Sequence, residues 1–343
     1  MTDADPSVRL TRETILEYLR DRDEVQSTVA DVTPLGGGVS NAVFRVETEA
    51  GCLVCKQPYP NLEVAEDWPA DVVRVHNEAR ATEVYAAIIE RAEIEGVSVP
   101  RVLFEDHEAH VIGIECVPAS ATNWKTELLE GRVDREVARS LGELLGAVHR
   151  VAAEDDALRE AFADPTPFDQ LRLEPYHWTV ARRHPDLASE IRAEIDRIES
   201  SRRTLVHGDY SPKNVLVDDE GETVWVLDFE VAHWGDPAFD VAFMCNHLLL
   251  KSMHKPADAM AYADAIDAFQ SAYDCETPWD RERETVAELA VLLLARIDGK
   301  SPVEYLDEET ADAVRSRGRP VLHEGMEAVA AVLALAAEER DRL

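Results

Sequence analysis

The spacing of apolar and polar positions changes near residue 117. Before that point, short runs bounded by turn residues dominate. Val32-Thr33-Pro34-Leu35, Ala42 to Glu47 and Cys52 to Gln57 read as strands, separated by the glycines at 36–38 and by Gly51. Thr11 to Arg20 has helical periodicity and is predicted to pack on the outside of this unit. A segment containing Pro and Trp, Pro58 to Asp71, leads into a helical pattern from Val72 to about Glu95. Further strands are predicted at Arg101 to Glu105 and His110 to Cys116. Strands with a single inserted helix describe a small α+β lobe.

Beyond Pro118 the period lengthens. Amphipathic helices are predicted at Asp134 to Val151, Leu187 to Ser200, Ala257 to Tyr273, Arg281 to Ile297 and Glu308 to Leu343. They are interrupted by two short β runs, Asn214 to Val217 and Thr223 to Leu227, joined at Asp219-Glu220-Gly221. A chain of 343 residues is longer than one core usually organises, and its 45% apolar content suffices for two. The reading is therefore an α+β chain of two lobes, residues 1–117 and 118–343, with Pro118-Ala119-Ser120 as the linker.

Chemistry enters with His207-Gly208-Asp209-Tyr210-Ser211-Pro212-Lys213-Asn214, followed after the hairpin by Leu227-Asp228-Phe229-Glu230. Phosphoryl transfer asks little covalent help of a protein. It needs a carboxylate to orient the attacking hydroxyl and oxygen ligands to hold magnesium on the phosphates. Asp209 supplies the first; Asn214 and Asp228 supply the ligands, which suit hard Mg2+. Either fragment alone reads as an ordinary turn or strand end, whereas the ordered pair is specific.

These motifs, with Gly235-Asp236-Pro237-Ala238-Phe239-Asp240 behind them, resemble the aminoglycoside phosphotransferase and choline kinase superfamily over most of the chain. The resemblance implies a protein-kinase-like fold, with a small antiparallel-sheet N-lobe, a larger helical C-lobe, and ATP and Mg2+ as cofactors. Gly36, Gly38, Asn41 and Val43 fit the kinase G-x-G-x-x-G-x-V spacing with Asn in the third glycine place, so Gly36, Gly37, Gly38, Ser40 and Asn41 are assigned to the phosphates. No G-K-S/T follows, which excludes a P-loop. Lys56 inside an apolar strand needs a carboxylate partner; Glu78 is the choice and Glu83 the less favoured one. Ile114, Glu115, Cys116 and Val117 are placed at the adenine-binding hinge by chain order. His149 reads as support for the catalytic loop rather than as a base.

For the acceptor, Lys56-Gln57-Pro58-Tyr59, Glu66-Asp67-Trp68-Pro69 and Asp228-Phe229-Glu230 look like the methylthioribose kinase branch, which implies a homodimer and a second-metal role for Glu230. Arg296-Ile297-Asp298-Gly299-Lys300 resembles its sugar-holding segment. The chain departs from that branch at Asn214, where it tends to carry Ser, and at Ala295, where it has a second Arg. A pentose-type sugar, including a pentose phosphate such as ribose 1-phosphate, is expected, with Arg296, Lys300 and His233 as anion-binding groups and Trp68 at the pocket. An aminoglycoside- or choline-type phosphotransferase, which would need a carboxylate-rich pocket, and a nucleotide-binding pseudokinase are the rival readings. No A-P-E signature follows Asp228, which argues against a protein kinase.

Charge narrows the partners. Lys and Arg number 35 against 69 Asp and Glu, a net charge of -34 that repels nucleic acid and anionic membrane. The acidic residues lie in nearly every segment, which fits adaptation to a salt-filled, halophilic cytoplasm better than one acidic face. Met1 to Leu10 has neither a basic start nor an apolar run, so no signal peptide is expected. Five cysteines suit a reducing cytoplasm, and Cys52 and Cys55, three apart on a strand, should face opposite sides rather than bind metal.

Overall fold

The computed structural model describes residues 9–20, 22, 29–36, 38–64, 67–218 and 223–324. Gly37, Glu66, the Asp219-Glu220-Gly221 turn and the predicted helix beyond Glu324 lie outside the described residues. The first lobe runs α1 (Thr14–Arg20), β1 (Val29–Pro34), β2 (Asn41–Thr48), β3 (Gly51–Pro58), α2 (Arg74–Ala92), β4 (Val97–Ser98), β5 (Val102–Asp106) and β6 (Val111–Glu115). Its five-stranded sheet has the order β1-β2-β3-β6-β5, with antiparallel pairing throughout.

Alternation along β3 sorts its side chains between two cores. Leu53 and Cys55 join Leu10, Ile15, Leu19 and Phe44 on one face. Val54 packs on the opposite side, against Val75 and Ala79 of α2 with Ile112 and Ile114 of β6. Lys56 shares the parity of Val54 and so is presented toward α2. Cys52, also of that parity, is bonded to Cys116 across the strand pair, Cα to Cα 5.6 Å. The sequence reading assigned no disulfide, so this pair is a finding of the structure; Cys55, Cys245 and Cys275 are free. The opposed faces of Cys52 and Cys55 were expected.

The second lobe begins with β7 (Thr122–Asn123), α3 (Trp124–Leu129), α4 (Arg135–Ala152), α5 (Asp156–Ala161) and α6 (Thr166–Phe168), then a π-helix over Asp169–Trp178 that continues into α7 (Thr179–Arg183). α8 (Ala188–Ser200), β8 (Thr204–Val206), β9 (Val215–Asp218), β10 (Thr223–Val226) and β11 (His233–Gly235) follow. The chain then enters α9 (Pro237–His254), α10 (Ala259–Glu276), α11 (Glu282–Asp298) and α12 (Glu308–Glu324). β4, β10, β9 and β7 form a four-stranded sheet, in which β4 from the first third of the chain pairs parallel with β10.

The two longest elements that escape the periodicity reading are α9 and the π-helix, and for these the reason is burial. Every residue from Pro237 to Ser252 of α9 is buried, so the helix has no polar stripe to mark its period. Its start is nevertheless marked by Asp236, which caps the Ala238 amide, and by Pro237 in the first turn. The π-helix carries Pro175 inside it and buries Leu171, Arg172, Leu173 and Tyr176. Among the described residues, no helix is long and apolar enough to cross a membrane.

Candidate active site

The candidate site is built from β3, α2 and the loops around the β9–β10 hairpin. Lys56 Nζ donates to Glu78 Oε1 at 2.5 Å and to Asp228 Oδ1 at 3.3 Å, and both lysine and glutamate are buried. Burial opposes the charge on Lys56, yet Glu78 and Asp228 together hold its pKa above the ordinary value. Burial also pushes Glu78 up, to about 7, against the pull of Lys56. The expected partnership of Lys56 with Glu78 rather than Glu83 is thus the one formed.

Asp209 follows β8 on a loop whose shape is dictated locally. Gly208 sits at φ +77°, where a Cβ would lie 2.8 Å from the Val231 carbonyl, so glycine is required. Asp240 of α9 holds the loop from behind, accepting from the amides of His207 at 2.7 Å and Gly208 at 2.8 Å. His149 Nε2 contacts the same carboxylate at 3.3 Å, and its Nδ1 meets the Tyr273 hydroxyl at 2.9 Å. The loop-supporting place read for His149 in the sequence is the place it occupies.

Asn214 Nδ2 donates to Asp209 Oδ2 at 2.8 Å, and the Leu227 amide donates to the Asn214 carbonyl at 2.9 Å. The hairpin therefore returns the chain so that Asp228 follows a residue already bonded to Asn214. Asp228 itself adopts φ 70°, a left-handed backbone uncommon outside glycine. Burial would raise both carboxyls, but cations prevail: Arg172 and Lys213 bring Asp209 down to about 2, and Lys56 and Lys213 lower Asp228. Both are anions at any working pH.

Several groups that sequence reasoning missed complete the site. Arg172 Nη2 and Lys213 Nζ each lie 2.8 Å from Asp209 Oδ2. Lys213 stood within the motif; Arg172, in the π-helix, carried no signal. Arg74, fully buried, donates to Glu230 at 2.9 Å and to the carbonyls of Ser40 at 2.6 Å and Tyr59 at 3.0 Å, tying α2 to the glycine loop. Asn41 Nδ2 donates to the same oxygen of Glu230 at 3.0 Å.

The remaining sequence-derived residues divide. Arg296 donates to the Tyr176 hydroxyl at 3.2 Å and to Ser301, and its guanidinium lies 5.7 Å from the Tyr176 ring, with Arg172 5.8 Å from that ring. This chain of contacts joins Arg296 to the Asp209 neighbourhood. Trp68 is buried with Leu171 and Val231, donates to the Gln170 carbonyl at 2.9 Å, and has Lys300 Nζ 5.9 Å from its ring. His233 is not brought among them. It is a core ring stacked on Phe168 at 4.0 Å, bonded to the Val231 carbonyl and pushed down to about 4 by burial, hence neutral. Glu115 is salt-bridged to Arg101 at 2.6 Å, Cys116 is in the disulfide, and Val117 leads out of the sheet.

With this geometry in place, comparison with known proteins is decisive for the family. The profile of the phosphotransferase enzyme family matches residues 31–285. The chain belongs to that family. Its fold is similar to a choline/ethanolamine kinase family protein from Mesorhizobium loti (20% identity, 95% of this chain and 99% of that one, TM-score 0.50). It is also similar to an amicoumacin kinase with AMP-PNP and Ca2+ bound (13%, 87% and 90%, 0.52) and to a Plasmodium vivax ethanolamine kinase (11%, 92% and 90%, 0.51). No curated protein matches the chain. The two-lobed, protein-kinase-like fold is thereby established, and with it a phosphotransferase that phosphorylates hydroxyl groups of small molecules.

Proposed function

We propose that this phosphotransferase moves the γ-phosphate of ATP to a hydroxyl of an anionic, pentose-type sugar. The observation that carries the acceptor class is the row Lys213, Arg172 and Arg296 beside Asp209, in a chain whose net charge is -34. Behind it, buried His247 is held well below its ordinary pKa by burial and by the charges of Lys251, Arg296, Lys213 and Lys125. A choline- or aminoglycoside-type acceptor would meet cations here, whereas a sugar phosphate would be paired.

The residues present fit a metal-bound triphosphate. Asp209 Oδ1 and Glu78 Oε2 are buried without a partner, and a Cβ added at Gly36 or Gly38 would meet nothing within 4 Å. Gly36, Gly38, Ser40 and Asn41 would lie over the phosphates, Lys56 would pair with them, and the backbone of Glu115 to Val117 would face adenine. Asn214 and Asp228 would hold Mg2+, with Glu230 behind them as a candidate for a second ion. A divalent cation bound there would neutralise charge on the phosphates and align them for displacement. Asp209, ionised before substrate arrives, accepts a hydrogen bond from the acceptor hydroxyl, aims the hydroxyl oxygen at the phosphorus and takes up its proton as the bond forms. The new P–O bond forms as the bond to the leaving ADP breaks. Lys213, half-exposed, is free to exchange Asp209 for the incoming phosphoryl group.

The test is ADP release in molar KCl with pentose 1-phosphates, free pentoses, methylthioribose, nucleosides, choline and aminoglycosides. Turnover confined to the phosphorylated sugars is expected. Preference for an amine would transfer the assignment to the choline or aminoglycoside class, and silence with every acceptor would leave a nucleotide-binding pseudokinase.

A further inference from the structure

Away from the candidate active site, three of the chain's 11 histidines gather between α2 and the turn that joins β5 to β6. His76 Nδ1 lies 2.6 Å from Glu105 Oε1, and His107 Nε2 lies 3.5 Å from that same oxygen. The His76 and His107 rings stack with centroids 4.2 Å apart. One ligand atom from each of His76, Glu105 and His107 falls within 4.8 Å of the others. Ligands on a tetrahedral zinc ion stand about 3.3 Å apart, given bond lengths near 2 Å. Glu105 and His107 are exposed and can close that gap by side-chain rotation, whereas His76 is buried and fixed.

We propose that His76, Glu105 and His107 bind a divalent transition metal of the Zn2+ class, with water in the fourth position. Imidazole with one carboxylate is the donor set that such ions prefer over Mg2+ or Ca2+. A second feature points the same way. His76 Nε2, the nitrogen turned away from Glu105, meets His110 Nδ1 at 3.0 Å. A ligating histidine needs its far N–H held by an acceptor, which fixes the tautomer and the ring plane, and His110 occupies that place. His76 stands two residues before Glu78, so it leaves the helix on a different side from the ion pair with Lys56. The ion would staple α2 to the β5–β6 turn without entering the nucleotide site.

Calorimetric titration of Zn2+ alone into the full chain, without ATP or chelators, tests this. One equivalent should bind with micromolar or tighter affinity. His107→Ala and Glu105→Gln, both at exposed positions, should each weaken binding at least tenfold, and His110→Ala by about 10- to 100-fold. Co2+ should give visible absorption of tetrahedral type that disappears in His107→Ala. Absence of saturable binding, or variants that bind as the parent does, would overturn the site.

Discussion

Asp209 keeps one buried oxygen without a partner while its other oxygen is held by Arg172, Lys213 and Asn214. Replacing it by Asn preserves shape but removes the charge proposed to orient the acceptor. Asp209→Asn should lower kcat by about 10²- to 10⁴-fold while leaving ATP affinity nearly unchanged, read by steady-state kinetics beside calorimetry. Lys251 offers a second test. It is fully buried beside the Tyr305 ring, and burial with the charges of Lys125 and Arg296 lowers its pKa from 10.5 to about 7. The unfolded chain therefore holds a proton that the folded chain has shed between about pH 7 and 10.5, so stability rises with pH through that window. Denaturant titrations at pH 7 and 9 should register the gain, and Lys251→Met should flatten it. At this scale the sequence was legible where chemistry is local. Asp209, Asn214 and Asp228 stand in two short motifs, and Lys56 could be paired with Glu78 because an apolar strand needs a compensating charge. Arg172 and Arg74 were not, because each takes its meaning from a partner far along the chain.

Elements follow the same logic. Helices α4, α8, α10 and α11 were found to within a few residues of their bounds, and the start of α12 at Glu308 agrees with its prediction; α9 was missed because it has no wet face. The strands of the five-stranded sheet and of the β9–β10 hairpin were legible from their length and from the turns that bound them, whereas β4, β7, β8 and β11, two or three residues each, were not. A close helix contact, by contrast, is carried by an unremarkable glycine. Gly142 of α4 packs on α10 so tightly that a Cβ would lie 2.1 Å from the Phe269 carbonyl. Gly142→Ala should destabilise the protein by about 1–3 kcal/mol, visible as a lowered Tm. Gly208→Ala should act differently. Its site is the loop that carries Asp209, the proposed catalytic residue, held from behind by Asp240, so the loss should appear in kcat before it appears in melting.

For the molecule as a whole, a net charge of -34 means that self-repulsion opposes compaction in dilute buffer. At 1 M salt the Debye length falls to about 3 Å, and most of that repulsion vanishes. Tm should therefore climb steeply as KCl is raised from millimolar to molar concentrations, a scan that also tests the halophilic reading. A protein indifferent to salt would refute that reading. The two-lobed, α+β fold class was legible from the change in period along the chain; the boundary at residue 117 is a proposal, and β4, which precedes it, pairs with β10 of the later half.

The Lys213, Arg172 and Arg296 row has a kinetic corollary, because it lies inside a strongly anionic body. In dilute solution an arriving nucleotide or sugar phosphate meets a repulsive long-range field before it reaches the cations that would hold it. Added salt erases the far field first and spares contacts of a few ångströms. Association of anionic substrates should thus quicken with ionic strength, the reverse of the slowing familiar for electrostatically steered enzymes.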